Sequence, residues 1–94
     1  MVTLETAKQF MRVDGSDEDN LITSFISTAT LLVEEILRKP LSEFEVVPEV
    51  VNQAILLLVS TLHEEQQVGK DGINLHEMLD LVRQMLFAYR KESF

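Results

Sequence analysis

The 94-residue chain contains no cysteine and no tryptophan. Without cysteine there is no disulfide scaffold, no thiolate nucleophile, no iron–sulfur cluster and no cysteine-based zinc site. Only three glycines and two prolines are present, which excludes a collagen-like chain. Basic residues are scarce: eight Lys and Arg stand against sixteen Asp and Glu, a formal net charge of −8. The longest basic runs are the pairs Arg38-Lys39 and Arg90-Lys91. A non-specific nucleic-acid binder neutralises phosphates with clustered Lys and Arg, so tight phosphate binding is disfavoured. Docking on an anionic membrane is disfavoured for the same reason. The longest uninterrupted apolar run is Ala54–Val59, far short of the roughly 20 residues of a spanning helix. The opening Met1-Val2-Thr3-Leu4-Glu5 lacks the basic start and apolar core of a signal peptide. Synthesis and retention in the cytoplasm are expected.

What the chain has is a core. Hydrophobic residues make up 46% and charged residues 26%, close to the average of a globular protein. Leu, Ile, Val and Phe exceed a third of the sequence, well above the ~20% below which chains tend to stay disordered. The length suits one domain over residues 1–94. A core this small is marginal alone, and oligomerisation is a common remedy.

Helical periodicity appears in four segments. The first is Leu4–Arg12, with Thr3 as N-cap, Glu5 in the first turn and Arg12 in the last. Gly15 is expected to end it in the left-handed conformation. Ser16 then caps a second helix, with Asp17, Glu18 and Asp19 in its first turn. Ile22, Phe25, Ile26, Ala29, Leu32, Val33, Ile36 and Leu37 recur at spacings of three and four along it. It runs to about Arg38, where Arg38 and Lys39 meet the negative end of the dipole and Pro40 stops it. Leu41–Val47 reads as a connector, with Phe44, Val46 and Val47 in a brief extended stretch. Pro48 suits the first turn of a third helix, which is apolar almost all round from Val50 to Leu62. Such a helix is surrounded by its neighbours or faces another subunit. Gln66 to Gly72 reads as a loop. Asn74 and Glu77 form a capping box before a fourth helix bearing Leu75, Met78, Leu79, Val82, Met85, Leu86 and Tyr89, with Leu81 and Phe87 off the stripe. The fold class is therefore all-α: a small four-helix orthogonal or bundle domain, one helix short and three longer.

Motifs for chemistry are thin. Asp14-Gly15-Ser16-Asp17-Glu18-Asp19 fails the calcium-loop template, because Gly falls second and Phe25 stands twelfth. A helix break followed by an acidic first turn accounts for it. His63-Glu64 and His76-Glu77 lack a second His four residues on: Gln67 and Asp80 stand there. Both His read as surface or half-buried helix residues. No glycine elbow flanks a serine, and no phosphate-cradling loop or dinucleotide fingerprint occurs. The expectation is a non-enzyme with no catalytic residue, no metal and no cofactor.

Order and spacing across the chain carry a resemblance. Val2-Thr3-Leu4-Glu5-Thr6-Ala7-Lys8-Gln9-Phe10-Met11-Arg12-Val13-Asp14 resembles the opening of the small head–tail connector proteins, also called DNA-packaging proteins, of tailed bacteriophages and prophages. Asp19, Leu21-Ile22, Ile26, Ala29, Val33-Glu34 and Arg38-Lys39-Pro40-Leu41 continue the likeness. So do Pro48-Glu49-Val50-Val51, Gln53–Val59 and the closing Met85-Leu86-Phe87-Ala88-Tyr89-Arg90. The chain departs from the family at His63 to Gln67, at Ala88, where a Pro is usual, and over Gly69 to Leu81.

The resemblance implies a structural protein of the virion head–tail junction. Copies form a ring, commonly twelve-fold, beneath the portal. The ring extends the DNA channel and offers a docking surface to a tail-side completion protein. DNA passes through without specific binding. The isolated chain is compatible with a monomer that closes into a ring only on the portal. Association is expected to come from apolar surface of the third and fourth helices, with Arg38, Lys39 and Arg83 meeting acids of a neighbour. Phe87, Tyr89 and Arg90 are further candidate contacts. The alternative is a small helical adaptor or transcriptional regulator. The acidic start of the second helix, where a DNA reader places base-contacting residues, argues against the regulator.

Overall fold

The periodic segments become four helices, joined by turns that are set more by backbone geometry than by glycine and proline. A computed structural model describes residues 2–68 and 74–89. In chain order the helices are α1 (Leu4–Met11), α2 (Asp19–Leu37), α3 (Glu49–Val68) and α4 (Leu75–Leu86). Short 3₁₀ turns occupy Leu41–Glu43 and Phe87–Tyr89. Among the described residues there is no strand, and the architecture is all-α as expected.

The Thr3 hydroxyl accepts the Thr6 N–H at 3.1 Å and starts α1. The helix ends one residue earlier than its periodicity suggests. Arg12, not Gly15, takes the left-handed conformation there, with φ +59°. Its N–H, and that of Val13, return to the carbonyls of Gln9 and Lys8. Gly15 is also left-handed, at φ +85°, and turns the chain toward α2. Ser16 does not cap that helix. Its carbonyl accepts the Asp19 N–H in a preceding turn, and Glu18 holds the cap position without a side-chain cap bond. The acids expected together in the first turn are thus divided. Asp19 alone lies inside it.

α2 buries Ile22, Ala29, Val33 and Leu37, four members of the expected stripe. It stops at Leu37 because Arg38 turns left-handed, φ +62°, and its N–H reaches back to the Glu34 and Glu35 carbonyls. Pro40 follows after the helix has ended. By length and apolar content α2 would serve as a membrane-crossing helix. Its outer side, however, exposes Ser24, Ser27 and Thr28, while its inner side packs against α3.

Pro48 sits immediately before α3 rather than inside it, and its carbonyl accepts the Val51 N–H at 2.9 Å. α3 is the helix surrounded by its neighbours: it packs against α1, α2 and α4. Val51, Ala54, Ile55, Leu56, Leu58 and Val59 are all buried, each large aliphatic side chain contributing roughly 1.5–3 kcal/mol by leaving water. Buried Thr61 donates its hydroxyl to the Leu57 carbonyl at 2.9 Å. α3 continues to Val68, absorbing the first residues of the expected loop. Glu and Gln are good helix formers, so Glu64 to Gln67 extend the helix. The remainder of that loop, residues 69–72, lies outside the described residues. The capping box stands as expected: Asn74 Oδ1 accepts the Glu77 N–H at 2.8 Å, and Asn74 Nδ2 donates to Glu77 Oε1 at 3.0 Å. α4 buries Met78, Val82 and Leu86. Tyr89, expected on that stripe, lies beyond α4 in the terminal 3₁₀ turn, whose three residues per turn no longer keep the α-helical period.

Candidate functional site

The acids and histidines that invite a chemical reading are used to tie helices together. Lys8 reaches from α1 across the turn, donating to the Gly15 carbonyl and to Asp19 Oδ1, the latter at 2.7 Å. His63 Nε2 of α3 lies 3.2 Å from Glu18 Oε1 at the head of α2. These bonds explain why Asp19 and Glu18 stand where they do more fully than the helix dipole alone. His63 is half-buried and His76 exposed, as expected. Among the described residues, no three His, Asp or Glu side chains come close enough to share a metal ion.

Two concave surfaces stand out among the described residues. The larger, about 620 Å³, lies under the α1–α2 turn and includes Leu4, Lys8 and Arg12. The smaller, about 210 Å³, runs between α2 and α4. Its apolar lining is Leu32, Ile36 and Leu79, and its charged rim is Glu35, Arg38 and Arg83. Two of the residues singled out from sequence, Arg38 and Arg83, therefore share one groove. Arg83 also donates to Asp80 Oδ1 at 3.0 Å, one turn back on α4. That exposed pair holds Arg83 only weakly, since surface ion pairs are worth about 0–1 kcal/mol.

The other candidates separate. Lys39 Nζ stands 4.1 Å from the centre of its own chain's Phe44 ring. This cation–π contact fixes the α2–α3 connector, which removes Lys39 from the groove. Phe87 is 70% exposed and Tyr89 40%, both in the turn after α4. Arg90 lies outside the described residues. The expected apolar drive from the third helix is corrected: most of that helix's aliphatic side chains are buried against α1, α2 and α4. On α4, Leu81 remains 44% exposed.

Sequence reasoning missed the two most exposed aliphatic side chains. Val46, 82% exposed, lies in the connector, where no periodicity distinguishes an inward from an outward residue. Leu31, 66% exposed, sits two residues from buried Ala29 and Val33, positions that place it on the opposite side of α2. That spacing was a usable signal.

No curated protein and no solved structure matches the chain. A family model does, over residues 1–91, which takes in the four described helices and the two concave surfaces above. An all-α body that ties its acids into helix contacts and keeps bulky apolar side chains outside suits a protein that works by assembling. By that match the chain belongs to the phage gp6-like head-tail connector family, as a structural protein of the virion head–tail junction that assembles with other virion proteins.

Proposed function

We propose that copies of this chain close into a ring beneath the portal, extend the DNA channel and present a docking surface to the next tail-side component. The observation that carries this reading is the set of bulky apolar side chains left outside the core: Val46, Phe87 and Leu31 at 82%, 70% and 66% exposure. Single exposed apolar side chains are ordinary on a protein surface; membership of the connector family is what makes these three candidates for contacts with neighbouring subunits. The groove between α2 and α4, with Arg38 and Arg83 on its rim, supplies one such surface for a neighbouring copy. Phe87 and Tyr89 supply a second, and with Arg90 they are the contacts for portal or tail. A ring needs heterologous contacts, in which two different patches on each subunit meet. The resemblance of the sequence to its family suggests twelve copies.

Charge suits passage of DNA. A net −8 per copy repels phosphates, although at physiological salt the effect reaches only about 8 Å. It also sets copies against one another, so individually weak contacts gather strength on a template that holds several subunits at once. The portal is that template in this reading.

The test is removal of the gene from its phage, followed by electron microscopy of the lysate. DNA-filled heads and finished tails that fail to join support the reading, as does a ring at the neck of intact particles. Joined, infectious particles without the protein overturn it. Salt-sensitive DNA binding by the purified chain would favour a regulator instead.

A further inference from the structure

We infer that neighbouring subunits are tied by exchange of α1: the N-terminal helix of one copy leaves its own body and docks in the same seat, against α2 and α3, on the next copy. This rests on the ring reading and names a contact that would join its subunits.

The seat is complementary to its occupant already, because α1 fills it within the single chain. α1 packs against α2 and α3. Val2 and Ala7 are buried in the core, Leu4 and Met11 are half-buried against it, and Lys8 Nζ lies 2.7 Å from Asp19 Oδ1. An exchanged helix remakes each of these contacts on a neighbour and needs no new surface, which makes exchange of an identical element a low-cost route to assembly. The exterior offers less. Among the described residues the exposed large hydrophobic side chains are scattered over separate elements, and copies of net charge −8 repel one another.

The link to α2 suits opening. Arg12 stands in it at φ +59°, a conformation that crowds its Cβ against the following carbonyl, and short hinges under strain favour exchange. α1 itself is only eight residues long, and Ala7 is the one fully buried residue within it, so little apolar area meets water while it moves. Glu18 stays at the head of α2 through its contact with His63. The residues before it, Arg12–Asp17, span roughly 20–22 Å when extended, enough to cross the narrowest extent of the chain, 17 Å. Opening gives up the Lys8 bond to the Gly15 carbonyl, the Ser16–Asp19 turn and the partial packing of Val13. Gly15 and Ser16 are exposed, so water takes up their freed groups.

Docking on the same copy and docking on the next bury the same groups. The balance between them is then set by the hinge on one side and by the local concentration of neighbours on the other. A dilute free copy keeps α1 on its own body. A portal that holds copies side by side raises the effective concentration of each neighbouring seat and tips the balance to exchange. Helix and seat are different surfaces, as a head-to-tail contact requires. Passed around a closed circle, each copy gives one helix and receives one, so every seat is filled.

The test assembles full-length chains on the portal and scores rings by electron microscopy. Lys8→Glu and Asp19→Lys each place like charges in the seat and should lower ring yield by about tenfold. In a mixture of the two, every α1 meets an opposite charge only by docking on a copy of the other kind. Equal mixing should therefore restore rings, and the double variant Lys8→Glu/Asp19→Lys should form them alone. Rings from the double variant with no rescue by the mixture show that α1 stays on its own copy, and overturn the inference. Single variants that assemble as well as the parent overturn it too. A second measurement covers misfolding of the charge variants. Because the chain has no native cysteine, Lys8→Cys/Asp19→Cys can be treated with a short bis-maleimide. The dilute free chain should link only within itself, and the same chain on the portal should give a ladder of linked copies on a denaturing gel. Rings whose chains all run as single copies overturn the exchange while leaving the ring intact. An unmodified chain that forms no ring on the portal refutes the ring reading first.

Discussion

Replacing Lys8 by Met tests whether the α1–α2 turn is held by charge. The side chain is only 20% exposed, and its partner Asp19 is 34% exposed. Lys8 bonds both the Gly15 carbonyl and Asp19 Oδ1. Met keeps the aliphatic stem and removes the ammonium. Bonds to charged groups are worth about 1.5–3 kcal/mol when well shielded. Here the carboxylate is about a third exposed, so solvent screening lowers that figure. Asp19 also keeps the favourable first-turn position of α2, about 0.3–1 kcal/mol at an exposed site. The net loss should be about 1–2 kcal/mol. For a chain of this size that corresponds to a fall in Tm of roughly 5–15 °C. The assay is urea unfolding followed by far-UV circular dichroism, at a concentration where sedimentation gives a monomer, because association would add its own stabilisation. Asp19→Asn and the double variant complete a cycle, with an expected coupling of about 1 kcal/mol. A Lys8→Met protein within about 0.5 kcal/mol of the parent, or strictly additive variants, would refute the clamp.

Three further outcomes follow from the same structure. Arg12→Gly should raise stability by about 0.5 kcal/mol in the same unfolding assay, because the left-handed conformation costs a non-glycine residue roughly 1–2 kcal/mol and glycine's greater freedom in the unfolded chain returns part of that gain. Ile55→Ala, in the fully buried middle of α3, should cost about 2–5 kcal/mol, measured as a lower urea midpoint with unchanged slope. Raising salt should promote assembly of the chain in analytical sedimentation, because screening weakens the repulsion between copies of net charge −8 more than it weakens contact pairs shielded from solvent; assemblies that dissolve as salt rises would show local ion pairs to be dominant.

Local signals in the sequence survive into the fold where the partner is close in the chain. The α2 stripe, the Thr3 cap and the Asn74–Glu77 box each involve residues a few positions apart, and each appears in the structure. Helix ends were less legible. Arg12 and Arg38 adopt left-handed conformations, for which arginine has no preference, so periodicity and the nearby Gly15 and Pro40 pointed one to a few residues too far. The contacts that divide the acidic stretch were not legible at all, since Lys8 bonds Asp19 eleven residues away and His63 meets Glu18 forty-five residues away. The candidate site was half visible. Arg38 and Arg83 were marked as basic residues in an acidic chain, but only packing of α4 against α2 brings them to one groove. Val46 gave no sign, because a connector has no period against which exposure can be judged.

The packing of α3 changes the physical basis of assembly. If the apolar middle of that helix had faced outward, folding and association would have been one process, and an isolated copy would have been unstable. Instead α3 is enclosed by α1, α2 and α4, and among the described residues the large exposed apolar groups sit on α1, α2's outer side, the connector, α4 and its terminal turn. Such contacts are few and separate, and each must act against the repulsion of like-charged copies. On the proposed reading, association of two free copies would be weak, whereas a template that presents several adjoining sites would raise the effective concentration of each next contact. On the proposed ring reading, a chain whose core closes within one copy would fold before it assembles, and a portal that arrays several copies at once would set the order of assembly.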